Sequence, residues 1–300
     1  MKRLLLITFM VLLVCPASAQ SREELYDSFK SAISKKDTVA VLSLISDWEK
    51  LFPDDAELYS VWANYHFLTS MEEVMILSRE KPTDGKDCLE FTDSLGVKGY
   101  MYSEIKFDSS KMDSAKMVLS EGIIKHPDRL DLRLGKITIH LYANENVDAV
   151  NEIQSALERS VKNGNNWFDT LDIPIETDGI SHLRNCIQDY LNKLLDRNDL
   201  ASAERMIDIC VGLYPKEAVF LTDKGSLRYY AGDSKSAIDW YLKAYKNAPD
   251  DMLIVTNIAI LYEQLGDVEN AVKYYRIVAE SGDEEFSEGA EAALKELKVE

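Results

Sequence analysis

The sequence has few of the residues that catalytic and metal-binding motifs need, with only 4 cysteines and 4 histidines among 300 residues. The histidines, His66, His126, His140 and His182, lie far apart, and no Cys or His pair has the spacing of a zinc site. The motifs H-E-x-x-H and G-x-S-x-G and a glycine-rich phosphate loop are also absent. We therefore expect no enzymatic activity, no cofactor and no bound metal.

Cysteine is too sparse to form a disulfide framework. Cys15 lies near the N-terminus, so only Cys88, Cys186 and Cys210 belong to the body of the chain, and an odd, scattered set is not a scaffold of bridges. A Cys186–Cys210 bridge remains open. The alternative is that Cys210 serves as a small buried hydrophobic residue.

Basic residues are outnumbered, with 34 Lys and Arg against 52 Asp and Glu and a net charge of −18. Nucleic acid binding depends on clustered Lys and Arg that displace counterions, so this composition predicts no nucleic acid partner. The acidic surface either keeps the chain soluble or attracts a basic partner.

Residues 1–19 have the pattern of a cleaved export signal. Lys2 and Arg3 provide the charged start and Leu4–Cys15 the apolar core, and the small residues Ala-Ser-Ala stand immediately before Gln20. The apolar core is too short to span a bilayer, and no later segment is apolar enough, so we expect no transmembrane segment. Cleavage before Gln20 would raise the net charge to −20, because Lys2 and Arg3 are the only charged residues removed.

A lipoprotein signal is the rival interpretation of the same segment, with Cys15 as the lipid-modified residue. Val14 precedes Cys15, whereas lipidation sites favour Gly, Ala or Ser at that position. The expected location is therefore periplasmic, ahead of secretion or attachment to the outer membrane as a lipoprotein.

Five alanines recur at a fixed period. They are Ala115, Ala149, Ala203, Ala237 and Ala271, separated by 34, 54, 34 and 34 residues. Such a period is typical of stacked repeats. Five residues before each alanine stands a turn-prone residue: Ser110, Asn144, Asn198, Gly232 or Gly266.

One repeat shows the physical logic of the pattern. Residues 252–265 carry apolar residues at the spacing of an amphipathic helix, and Gly266 ends that helix because glycine tolerates positive φ. Asp267 then caps a second helix. The small side chain of Ala271 in that helix lets the two helices approach closely.

The chain resembles the tetratricopeptide repeat family, whose unit is a 34-residue helix–turn–helix. The resemblance implies an all-α, right-handed solenoid of about seven repeats. The expected segments are divergent repeats over 20–95, two repeats over 96–163, an inserted loop over 164–183, three repeats over 184–285 and a capping helix over 286–300.

In this family the first helices line a concave groove that binds partners. Carried over by position, the resemblance places in the groove Tyr26, Phe67, Tyr100, Phe107, Tyr142, Gln188, Asn192, Thr222, Tyr229 and Tyr230. The alternative for Phe67 and Phe107 is packing against a neighbouring repeat. The insertion residues Trp167 and Phe168 either contact a partner or cover the stack.

The resulting functional expectation is a non-enzymatic, exported scaffold that binds a protein or peptide partner. The basic companions that chaperone-binding relatives use to hold a C-terminal carboxylate are missing beside Asn64 and Asn192. The second hypothesis is a glycan-binding or envelope-assembly accessory protein, because exposed aromatic rings also stack on sugars.

Overall fold

A computed structural model describes residues 20–82, 85, 87–175 and 179–297 of the chain. The expected export signal at 1–19 and the last three residues of the expected capping segment lie outside these described residues. The chain divides into two compact units, Met1–Gly122 and Ile123–Glu300.

The described residues form thirteen α-helices and five β-strands. The helices are α1 (Arg22–Ser34), α2 (Thr38–Leu51), α3 (Glu57–Ser70), α4 (Ser109–Lys125), α5 (Leu130–Tyr142), α6 (Asn146–Asn163), α7 (Gly179–Asp196), α8 (Leu200–Leu213), α9 (Ala218–Tyr230), α10 (Ser234–Asn247), α11 (Met252–Gln264), α12 (Val268–Glu280) and α13 (Glu284–Glu296). The strands are β1 (Met71–Ser78), β2 (Leu89–Thr92), β3 (Lys98–Phe107), β4 (Phe168–Asp169) and β5 (Ile173–Pro174).

The predicted all-α class is confirmed, because helix–turn–helix pairs dominate both units. Pairs joined by short turns are α1/α2 in the first unit and α5/α6, α7/α8, α9/α10 and α11/α12 in the second. The second-helix alanines predicted to lie between packed helices are all fully buried: Ala115, Ala149, Ala203, Ala237 and Ala271. A larger side chain at these positions would push the helix backbones apart.

The turns within the pairs also follow the sequence prediction. Asn144, Asn198, Gly232 and Gly266 adopt positive φ, at 59°, 56°, 80° and 76°. This left-handed conformation ends a helix and suits Asn and Gly best. Ser110 is the exception, because it lies inside α4. The aspartate after three of these turns caps the following helix: Asp199, Asp233 and Asp267 accept the backbone N–H of Ser202, Ser236 and Asn270.

The helices expected between α3 and α4 are wrong, since this segment forms an antiparallel sheet of order β1–β3–β2. Met71 pairs with Phe107 at one end of the β1–β3 ladder and Ser78 with Tyr100 at the other. Gly99 lets the ring of Phe91 lie flat on β3, because a Cβ there would be only 2.5 Å from the ring. Period-two alternation therefore replaces the helical period in β3.

The sheet is best described as an insertion between the two helices of one repeat. Ser70 Oγ contacts Met112 Sδ at 3.3 Å, and Lys111 Nζ donates to Thr69 O at 2.7 Å, so the end of α3 lies against the start of α4. The step of 74 residues from Val41 to Ala115 equals one 34-residue period plus 40. The chain thus has six repeats among its described residues rather than seven.

The insertion predicted over 164–183 is shorter than expected, since α7 already begins at Gly179. Its described part forms the small β4–β5 hairpin with one 3-10 turn at Thr170–Asp172. The backbone N–H of Phe168 donates to Asp128 O at 2.9 Å, and that of Ile175 donates to Trp167 O at 3.0 Å. The insertion is therefore tied to the residues just before α5.

The Cys186–Cys210 bridge left open by the sequence is not formed. Both cysteines are free thiols within the same apolar core of the second unit. Burial raises the pKa of both thiols, so the alternative of Cys210 as a small buried hydrophobic residue is the correct one.

The end of the chain packs as a cap on the last pair. Helix α13 buries Ala290, and Leu294 and Leu297 pack against the core formed with α11 and α12. Its outer surface is charged, as expected of a terminal helix that shields a repeat core from water.

The close packing of α9 on α10 yields the first prediction. Gly225→Ala would place a Cβ 2.9 Å from two ring carbons of Tyr241, so we expect a loss of about 1–3 kcal/mol in the free energy of unfolding. Urea unfolding followed by circular dichroism measures this change.

Gly212→Ala in α8 is the matched control. A Cβ there meets no atom within 4 Å, and alanine in a helix is favoured over glycine by about 0.5–1 kcal/mol. If Gly225→Ala were as stable as Gly212→Ala, the described contact between α9 and α10 would be incorrect.

Candidate functional site

The first helices of successive pairs in the second unit are linked by side-chain hydrogen bonds. Tyr190 Oη donates to Leu134 O at 3.4 Å, joining α7 to α5. Gln188 Nε2 donates to Asp223 Oδ2 at 2.5 Å, joining α7 to α9. Gln264 Nε2 donates to Tyr229 Oη at 3.3 Å, joining α11 to α9. We call the surface of these helices that carries Tyr142, Gln188, Asn192, Thr222, Tyr229 and Tyr230 the first-helix face.

The predicted aromatic residues of this face are open to solvent. Tyr142 is 46% exposed, Tyr229 39% and Tyr230 70%. The rings of Tyr229 and Tyr230 lie 6.1 Å apart and are tilted by 51°. Exposed tyrosine offers a large contact area at a low cost in side-chain entropy, as partner-binding surfaces commonly require.

The predicted polar residues of the face have different surroundings. Asn192 is exposed, whereas Gln188 and Thr222 are half-buried. The Thr222 hydroxyl donates to Ala218 O at 2.9 Å within its own helix. Gln188 is occupied by Asp223, so it supports the face more than it extends from it.

Asp223 is a residue of this region that the sequence pattern did not single out. It stands next to Thr222 on α9, half-buried, and accepts the amide of Gln188. Removal from water raises its pKa from 3.8 to about 6, against the smaller lowering effect of Gln188. A charged carboxylate in such a place costs free energy and favours a nearby proton or cation.

The predicted groove residues of the first unit are less open. Phe67 on α3 and Phe107 on β3 stack at 5.7 Å with an interplanar angle of 25°. Tyr100 also lies on β3, so the first-helix placement expected for Tyr100 and Phe107 is wrong. Tyr26 lies on α1, as expected, with Lys30 Nζ 4.8 Å from its ring centroid.

The two aromatic residues of the insertion have opposite surroundings. Trp167 is 2% exposed, and its Nε1 donates to Ser160 Oγ at 3.1 Å. Phe168 is 40% exposed. Trp167 therefore belongs to the apolar core, which agrees with the interpretation of the insertion as a cover.

Two histidines were expected at one equivalent packed position. His66 on α3 lies 5.8 Å from the ring of Trp62, and burial lowers its pKa. His140, on α5, is 9% exposed, and its Nδ1 lies 2.6 Å from Glu145 Oε2. His140, Glu145 and Asp148 together could hold a metal ion.

The family comparison agrees with the geometry of the second unit. The family model described as "Tetratricopeptide repeat" matches residues 192–252 and 222–286. These matches cover the α7–α12 pairs, and the protein is therefore a tetratricopeptide repeat protein. No curated protein matches the chain at a significant level.

Solved structures with a similar chain path are themselves repeat proteins. MamA is 13% identical over 63% of this chain and 93% of its own, with a TM-score of 0.36. YrrB, described as a TPR protein with an unusual peptide-binding site, is 11% identical over 61% and 85%, with a TM-score of 0.37. A thermophilic TPR protein of Thermus thermophilus is 16% identical over 62% and 92%, with a TM-score of 0.36.

Among the described residues, no helix has both the length and the apolar character needed to cross a membrane.

The raised pKa of Asp223 yields a pH-dependent prediction. Because the folded state holds the Asp223 proton up to about pH 6 and the unfolded state loses it near pH 4, the stability contribution of Asp223 falls as pH rises between these values. Asp223→Asn keeps the acceptor for Gln188 and removes this loss. We expect the variant to be more stable than the wild type by about 1–3 kcal/mol above pH 7 and nearly equal to it near pH 4.

Urea unfolding at both pH values measures this difference. Asp189→Asn, an exposed carboxylate on α7, is the control, and we expect it to change stability little at either pH. Equal stability of Asp223→Asn and wild type above pH 7 would contradict the assigned surroundings of Asp223.

Proposed function

We propose that this protein is an exported, non-enzymatic scaffold that binds a protein or peptide partner on its first-helix face. The tetratricopeptide fold is a protein-interaction scaffold, so the step that we add is the choice of surface and location. The observation that supports the surface is the adjacent exposed pair Tyr229 and Tyr230, which lies on a helix joined to both neighbouring first helices.

The physical argument rests on what the aromatic pair would gain from a partner. Tyr229 is anchored through its hydroxyl by Gln264, so it offers its ring with little further ordering. Tyr230 leaves more than two thirds of its side chain in water. Burial of exposed aromatic rings is the largest single source of binding energy at many protein interfaces.

The surface is tested by capture from an envelope extract with immobilised protein. We expect the double variant Tyr229→Ala/Tyr230→Ala to recover its main partner at least about tenfold less than wild type does. The control Leu200→Ala/Val268→Ala removes side chains of similar exposure, 47% and 46%, at the starts of the second helices α8 and α12. Equal recovery by both variants would contradict the assignment.

Glycan binding or a role in envelope assembly is the second candidate, because the same exposed rings can stack on sugars. Treating the extract with protease before capture separates the two classes. Loss of the captured material supports a protein or peptide partner, and survival of a carbohydrate in the eluate supports the second candidate.

Export is proposed from residues 1–19 alone. Mass spectrometry of the protein from fractionated cells should give a free N-terminus at Gln20 in the periplasmic fraction. A lipid-modified Cys15 in the membrane fraction would replace this proposal by the lipoprotein alternative. An intact N-terminus in the cytosol would contradict export.

A further inference from the structure

The turn between α5 and α6 brings together three side chains of metal-binding type. His140 comes from the last turn of α5, Glu145 from the residue before α6, and Asp148 from the first turn of α6. One ligand atom from each lies within 4.8 Å of the other two. His140 is buried, Glu145 is half-buried and Asp148 is exposed, so the group opens to solvent on one side.

The turn itself creates this arrangement. Asn144 adopts a φ of 59°, which reverses the chain. The backbone N–H of Glu145 then donates to His140 O at 2.9 Å, and the Glu145 side chain lies 2.6 Å from His140 Nδ1. Asp148 follows three residues later, a spacing that places two side chains on the same side of a helix start.

We propose that His140, Glu145 and Asp148 bind one divalent transition metal ion, with Zn²⁺ as the expected occupant. One imidazole nitrogen and two carboxylates suit Zn²⁺ and its transition-metal neighbours, whereas Ca²⁺ and Mg²⁺ prefer oxygen ligands only. The two carboxylates balance the charge of the ion. Three protein ligands leave a fourth position for water or for a side chain of a bound partner.

The distances require only side-chain movement. Bonds of about 2.0–2.2 Å in a tetrahedral site place neighbouring donor atoms about 3.3–3.6 Å apart. His140 Nδ1 and Glu145 Oε2 are already closer than this, so they must separate slightly, while the exposed Asp148 turns inward. The ion takes the place of the proton that lies between His140 and Glu145.

The surrounding charges allow a cation at this position. The neighbouring basic side chains of α5 and α7 have acceptors of their own: Lys136 Nζ pairs with Glu152 at 2.5 Å, and Arg197 Nη1 donates to Leu141 O at 2.6 Å. The partial positive charge at the start of α6 opposes the ion, and the partial negative charge at the end of α5 offsets it.

Isothermal titration of the untagged, metal-free full chain with ZnCl₂ tests the proposal. We expect one ion per chain and no measurable binding of CaCl₂. Asp148→Asn should bind Zn²⁺ at least about tenfold more weakly, since even outer-shell partners of metal ligands cost that much when they are changed. The Asp148 side chain is exposed, so this variant should keep the helical circular dichroism spectrum of the wild type.

Asp54→Asn, an exposed carboxylate outside the cluster, is the matched control and should bind Zn²⁺ as the wild type does. A Co²⁺ titration adds a spectroscopic readout, because a tetrahedral site absorbs strongly in the visible range and Glu145→Gln should weaken that absorption. The proposal fails if the wild type takes up no Zn²⁺, or if Asp148→Asn and wild type bind it equally.

Discussion

The close approach of paired helices at a small residue is the constraint on which the rest of this structure depends. The five alanines from Ala115 to Ala271 have no exposed surface, and the backbones on either side can meet only because these side chains end at Cβ. Each pair thereby buries one face of both helices. The outer face of each first helix is left for other contacts, and the first-helix face of the second unit consists of such surfaces.

The sequence predicted this part of the fold because two local signals agree at each repeat. A residue able to adopt positive φ ends one helix, and an aspartate begins the next. Both effects act over a few residues and need no knowledge of the tertiary structure. Repetition of the same signals at Asn198, Gly232 and Gly266 made the periodicity unambiguous over 184–285, which is also where the family match falls.

The sheet of the first unit escaped prediction because its length imitates the repeat. An insertion of 40 residues is one period plus six, so the spacing of Val41 and Ala115 fits two repeats almost as well as one. A signal for strands was available. Asp93 accepts the backbone N–H of Leu95 and Val97, and Gly96 has a φ of 81°, which together form the tight turn between β2 and β3. A short polar turn of this kind between two runs of alternating residues is typical of a hairpin.

The candidate site shows a sharper limit than the fold does. Position in the repeat placed Tyr229 and Tyr230 on an open surface, because helix geometry alone fixes the side on which they lie. Position could not find Asp223, whose raised pKa depends on how closely α7 and α9 approach and on the single amide that Gln188 supplies. Position likewise assigned His140 to packing alone, and only the reversal at Asn144 brings Glu145 and Asp148 beside its imidazole. Periodicity therefore identifies which faces are free, whereas the chemistry on those faces is decided by contacts between elements that the period does not encode.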